Sequence, residues 1–331
     1  MNSISKKSEI LFLYETSYNI PNGDPFTGEQ RYDEESKKIL VSDVRIKRFV
    51  RDYLSSKKEV HIYIQQKNSE VDSEDSIESE TNGTNSKKAS GSARRVDELL
   101  KLFKTETEKA TSEKEKTKKA FNSALFVMKK CIDVRLFGGI STKTNHTANL
   151  TGPVQFALLN PSKNKVKLKE HQNTSVLESK QGNKQGAIAT TTLVPYSLIQ
   201  IHGWVNPKIA EITDMTEEDL KLMYEGLWYG TSGEGSSHSR SKVGQNSILL
   251  LDIIYKENNK KIYGVDRLIK LVPKDNKKEE QLRSMDDYTL DFSKLNEIAN
   301  SEKIEKIKYC TDIKSIEDEF SNNPKFERIE L

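Results

Sequence analysis

The sequence predicts an α+β fold, a βαββαβ core of antiparallel sheet with helices packed on one face, enlarged by insertions. Three observations lead there. Apolar runs of strand length recur along the chain, two segments repeat apolar residues at helical spacing, and long polar stretches interrupt the alternation. With 331 residues the chain suits one large domain with insertions or two smaller ones. Only 34% of residues are hydrophobic and 31% are charged, so the surplus polarity belongs in surface excursions rather than in the core.

Glu9 to Ile20 reads as the first strand, with Ile10, Phe12 and Tyr14 on one face, and it ends at the turn signal Pro21-Asn22-Gly23-Asp24-Pro25. Ser42 is a natural N-cap for the strongest helix, whose Ile46, Phe49, Val50, Tyr53 and Leu54 recur at helical spacing. Val60 to Ile64 reads as a second strand. Residues 66–120 hold an acidic tract, a Ser/Asn/Gly-rich stretch and a mixed-charge helical piece, which predicts a solvated, partly disordered insertion. A helix around Ala120 to Lys130 restores a core pattern, and Val154 to Leu159 reads as a strand. Asn160 to Thr190 is polar and basic and fits a long protruding hairpin. Leu193 to Trp204 reads as a strand with Pro195 near its start. Thr216 opens the second strong helix, with acids in its first turn and a stripe of Leu220, Met223, Tyr224, Leu227 and Trp228. After a Gly/Ser loop, Ser247 to Tyr255 forms the last core strand. Residues 256–331 read as a charged extension with modest amphipathic pieces such as Leu290 to Ile307.

The formal net charge is +3, so any nucleic-acid reading depends on where the cations sit rather than on their total. Cys131 and Cys310 lie far apart and read as reduced thiols. The first residues lack the apolar core of a signal peptide, and the greasy run Ile248 to Tyr255 is too short to span a bilayer. The expectation is a cytoplasmic protein with no membrane partner.

Four constellations bear on chemistry. On the Ser42 helix, Lys47 and Arg51 are one turn apart, flanked by Arg45 and Arg48; such a row suits a phosphate backbone, although the spacing alone equally fits a solvated helix face. Lys163, Lys165, Lys167 and Lys169 alternate with Val166 and Leu168, which gives an extended chain one basic and one apolar face; an edge strand guarded by lysines reads the same way. The loop Gly230 to Lys242 combines exposed backbone N–H groups with His238, Arg240 and Lys242 and can cradle phosphates, or it is a flexible solvent loop. It lacks a nucleotide-binding fingerprint. Catalytic signals are thin: His61, His146, His171, His202 and His238 show no metal spacing, and His202 reads as structural. A ribonuclease using His146, His171 or His238 stays open as an alternative.

Several stretches carry a resemblance. They are Pro21-Asn22-Gly23-Asp24-Pro25, Leu40-Val41-Ser42-Asp43-Val44-Arg45-Ile46-Lys47-Arg48, Asp133-Val134-Arg135-Leu136-Phe137-Gly138-Gly139, Thr151-Gly152-Pro153-Val154-Gln155, Val194-Pro195-Tyr196-Ser197-Leu198 with His202-Gly203, and Thr216-Glu217-Glu218-Asp219-Leu220. In this order the chain resembles the backbone subunit of type I CRISPR Cascade complexes, the CRISPR-associated protein seven family, in its Csh/Csd-like, type I-B-like branch. The resemblance fades in 66–120, 160–190 and beyond 256. Gln185 to Thr192 lacks the basic pair that related sequences often carry, so no phosphate contact is expected there.

The resemblance implies a modified RRM/ferredoxin-like core: residues 1–65 as its first half, 66–120 as a finger-like insertion, 121–159 as its continuation, 160–192 as a thumb-like hairpin, 193–255 as its second half and 256–331 as the extension. It implies a non-catalytic, cofactor-free subunit that binds CRISPR guide RNA and stacks with copies of itself in a helical filament. Such a subunit presents the guide to target DNA and meets other Cascade subunits: the large subunit, the guide 5′-end-capping subunit and the guide-processing endoribonuclease. By motif match, Ser42, Lys47 and Arg51 contact the guide backbone; Arg45, Arg48, Lys165, Lys167, His238, Arg240 and Lys242 complete the expected RNA-binding set. The alternatives are an endoribonuclease that processes guide precursors and a protein scaffold without RNA.

Overall fold

The computed structural model describes residues 3–57, 59–65, 91–116, 122–143, 147–178, 186–233, 242–257 and 261–331. They fall into two compact units, one made of residues 5–56, 154–207 and 221–331, the other of 1–4, 57–153 and 208–220.

The larger unit is built on a seven-stranded sheet. Its strands are β1 (Ser8–Asn19), β2 (Val154–Phe156), β3 (Lys169–Glu178), β4 (Gly186–Val205), β5 (Gln245–Tyr255), β6 (Ile304–Cys310) and β7 (Phe326–Arg328). The order is β7-β6-β5-β1-β4-β2, with β3 on β4, and all pairs are antiparallel except β6–β7. The central β1 is buried on both faces, which explains its unbroken apolar run.

On one face, Tyr14 stacks on Phe12 and meets Phe49 of helix α1 (Asp43–Ser55) edge to face, with ring centroids 6.2 Å apart. Helix α2 (Glu217–Ser232) lies close against α1: a Cβ on Gly230 would come within 2.5 Å of the Phe49 carbonyl oxygen, so only glycine permits this approach. The apolar stripe read from the sequence, Leu220 to Trp228, is buried.

The other face departs from the expectation of helices on one side only. Leu11, Leu13, Tyr196, Leu198 and Leu251 pack with Val265, Leu268, Tyr288, Phe292, Leu295, Ile316 and Phe320. The region read as a charged extension thus folds over the sheet and adds β6 and β7 to it. Its charged residues occupy the outward positions of short elements whose inward positions are apolar, as in β6, where Ile304, Ile307 and Tyr309 are buried.

The hairpin is present and is formed by β3 and β4. The β1–β4 ladder ends at Asn19↔Val194, and from Lys169↔Leu193 outward β4 pairs with β3 instead. Lys163, Lys165 and Lys167 precede it, and Lys169 is its first residue. Val166 is buried, with its N–H donated to the Lys37 carbonyl (2.8 Å) and its own carbonyl accepting from the Tyr32 hydroxyl (2.8 Å). The apolar side of that segment is therefore core, while Lys165 and Lys167 are exposed.

The smaller unit has its own core of Tyr63, Val96, Leu99, Val127, Met128, Cys131, Val134 and Leu150. Two corrections belong here. Val60 to Ile64 is not a strand: the buried Asp133 carboxylate accepts the N–H groups of Tyr63 (2.7 Å) and Ile64 (3.1 Å), replacing a ladder partner with a side chain. The insertion is also not wholly solvated, because helix Gly91–Leu102 buries Val96 and Leu99. The Phe137-Gly138-Gly139 and Thr151-Gly152-Pro153 stretches meet in a short hairpin of Gly138–Ser141 with Ala148–Thr151. A Cβ on Gly138 would lie 2.1 Å from the Leu150 carbonyl oxygen. Thr216 and Asp219 cap each other's backbone N–H at the start of α2, and Asp219 receives both Nε and Nη2 of Arg135 at 2.9 and 2.6 Å.

Candidate nucleic-acid interface

The site grows from the end of β1. Asn19 donates its side-chain N–H to the Val243 carbonyl (2.9 Å), Ser17 N–H bonds the Gly244 carbonyl (3.1 Å), and Lys242 Nζ bonds the Ile20 carbonyl. These bonds pin the residues just after the Gly/Ser loop alongside the strand end. On the other side stands the start of α1, where Ser42 Oγ accepts the Arg45 N–H at 3.4 Å and Ser42 N–H bonds the Asn22 side-chain oxygen at 2.7 Å.

The result is a pair of cations from distant parts of the chain. Burial, then the nearby positive charge of Arg45, push the Lys242 ammonium down to about 8. Burial likewise lowers Arg45, with the Tyr14 oxygen and then the Asp52 carboxylate opposing and Arg48 adding to the shift. Arg45 lies over the Phe49 ring at 4.1 Å from its centroid. Among the described residues, Arg45 Nε and the Tyr14 hydroxyl are buried without a hydrogen-bond partner, and neither Arg45 nor Lys242 forms an ion pair with a carboxylate. Two partly desolvated cations, with an unsatisfied Arg45 Nε and Tyr14 hydroxyl beside them, make this a candidate socket for an anion.

The other expected residues sit differently. Lys47 bonds Asp43 at 2.8 Å with only 14% of its side chain exposed, and Arg48 bonds Asp52 at 2.9 Å. The row of cations read from the sequence is therefore partly paired with acids, because Asp43 precedes Lys47 by one helical turn. Arg51 is half-buried on the same helix. Lys165 offers its backbone N–H to Glu279 at 2.7 Å and its exposed side chain to solvent. His238 and Arg240, like His146, lie outside the described residues. His171 sits exposed on β3, opposite Thr191.

His202 belongs to a different cluster. Its Nε2 lies 2.7 Å from the buried Glu9 carboxylate, which also receives the Tyr255 hydroxyl (2.6 Å) and lies 3.3 Å from Lys261. Burial raises the Glu9 pKa, but these partners outweigh it and hold the carboxyl below its ordinary value. Every Glu9 oxygen is engaged, so the cluster braces the sheet. Among the described residues no group of three or more His, Cys, Asp or Glu is arranged to hold a metal, and no helix is long and apolar enough to cross a membrane.

The sequence reading missed Tyr14, Tyr18 and Phe26. Tyr18, 57% exposed at φ +48°, has Lys169 Nζ 5.7 Å from its ring centroid at the hairpin root. Its signal was present: an aromatic residue just before a turn, where the inward alternation of β1 has ended.

The fold is shared with known proteins. A Haloferax volcanii protein described as CRISPR-associated protein Cas7 is 27% identical over 315 residues, covering 88% of this chain and 82% of its own. A chain in a solved structure titled "CRISPR RNA-guided surveillance complex, pre-nicking" aligns over 98% of this chain and 96% of its own, with a TM-score of 0.50 at 12% identity. Residues 6–293 match the family of CRISPR-associated protein Cas7, and the chain belongs to that family.

Proposed function

We propose that the chain is a non-catalytic, guide-RNA-binding backbone subunit of a CRISPR surveillance complex. In this reading it assembles with copies of itself along the guide and presents the guide for pairing with target DNA. The observation that carries the reading is that the charge of Arg45 acts on Lys242, from a distant part of the chain, and that among the described residues neither forms a close ion pair with a carboxylate. A phosphodiester satisfies both cations without reading a base, so specificity is left to base pairing. The β3–β4 hairpin, extending past the end of β1 with Lys169 and Tyr18 at its root, suits a projection that divides a bound strand into segments. The related Haloferax volcanii protein supports the same reading through its description.

The test is direct. Purified chain is titrated with labelled single-stranded guide RNA at several salt concentrations, beside the Arg45→Ala, Lys242→Ala double variant. Tight binding by the parent that falls with salt, and is lost in the variant, supports the reading. Equal affinity of the two sinks the socket. Cleavage of a guide precursor by the parent, abolished by His171→Ala, would instead support the endoribonuclease.

A further inference from the structure

We propose that Phe26 is a stacking platform for one base of the bound RNA, an inference that rests on the RNA-binding reading above. Phe26 is 96% exposed, the most exposed large apolar side chain among the described residues. It does not sit on a loose loop. Asp24 accepts the Phe26 N–H on its side chain (2.9 Å), pairs with Arg31 (3.2 Å) and accepts the Gly28 N–H on its carbonyl (2.8 Å). Gly28 takes φ +73°, which closes the turn. Beneath it the buried Gln30 side chain is a strut: its oxygen accepts the Asn22 N–H (2.9 Å) and its amide donates to the carbonyls of Arg31 (2.9 Å) and Leu40 (3.1 Å). The backbone that carries the ring is thus fixed, so placing it on a ligand orders only the side chain's own torsions.

The root of this frame is fastened to the cation socket. Ile20 receives Lys242, and Asn22 receives the Ser42 N–H at the start of α1. The chemistry of the tip selects a base over a protein partner. Pro25, Thr27, Gly28 and Glu29, all exposed, surround one ring. A protein interface buries about 800 Å² per side, far more than one ring supplies, whereas a single aromatic face matches a single base face. Asp24 is neutralised by Arg31, and Glu29 discourages a phosphate at the tip itself, so the backbone of the strand belongs at the socket and a base at the ring.

The experiment compares the full chain with Phe26→Ala, Phe26→Leu and Phe26→Tyr in titrations with a labelled, unstructured single-stranded RNA at several salt concentrations. Each is also sized by sedimentation without RNA. Stacking predicts about tenfold weaker binding for Ala and Leu, near-parent binding for Tyr, and an unchanged salt slope, because no phosphate contact is lost. Full affinity in Phe26→Ala overturns the inference, as does full rescue by Leu, or a smaller assembly without RNA in Phe26→Ala; the last two mark an apolar contact with another copy. A reduced salt slope also overturns it by assigning the loss to a phosphate. Failure of the parent to bind RNA at all refutes the guide-binding reading itself, a result distinct from any of these.

Discussion

Helix α1 carries two kinds of cation, and they differ in what the protein has already given them. Lys47 and Arg48 are paired within the helix, with Asp43 and Asp52. Arg45 lies over Phe49, and its charge acts on Lys242, a second cation. A row of positive residues in a sequence is therefore not one electrostatic unit. A cation already held by its own acid adds little to an external anion, and the more exposed Arg48–Asp52 pair is itself worth little. The desolvated ones without a close ion pair gain more from an anion, which offsets their burial and the charge of Arg45 on Lys242.

The largest effect expected from this contrast is on RNA affinity in Arg45→Ala with Lys242→Ala. A charge-assisted hydrogen bond is worth about 1.5–3 kcal/mol, so each change costs roughly ten- to hundredfold and the pair more. Arg45→Lys retains part of the binding because the charge stays, although the stacked, planar geometry is lost. Thermal melting checks that the double variant remains folded.

A smaller effect concerns pH. Lys242 is charged below about 8 and increasingly neutral above it. Binding a phosphate favours the charged form, so above that value binding must draw in a proton, and affinity falls by at most about tenfold per pH unit. Below it the dependence vanishes. Lys242→Arg, which stays charged, flattens the curve; a parent curve already flat through this range breaks the comparison.

This contrast also marks what was legible in the sequence. The Ser42 cap, the stripe of α1, the first strand and the stripe of α2 follow from local pattern, because capping and periodicity are decided within a few residues. The Lys47–Asp43 pair was legible too, since i,i+4 spacing is local. The Arg45–Lys242 encounter was legible only in that both residues fell in one expected RNA-binding set. The Val60–Ile64 segment has strand-like residues, yet its hydrogen-bond partner is Asp133, some seventy positions away. Likewise the charged C-terminal residues disguise β6, because a strand with lysines in its outward positions shows few apolar residues in a row.

Below these effects stands the paired side of the helix. Lys47→Ala should weaken RNA binding by only about twofold, in keeping with a cation already held by its own acid. The complementary substitution is sharper. Asp43→Asn removes one negative charge beside Lys47 at the start of α1, so RNA affinity should rise about twofold at low salt. The same change removes an acid from the first turn of α1, where it complements the helix dipole, and should lower stability by about 0.3–1 kcal/mol. The two readouts therefore move in opposite directions. If Asp43→Asn instead lowers affinity and stability together, Lys47 needs its acid to be positioned, and the division between paired and poised cations on α1 fails.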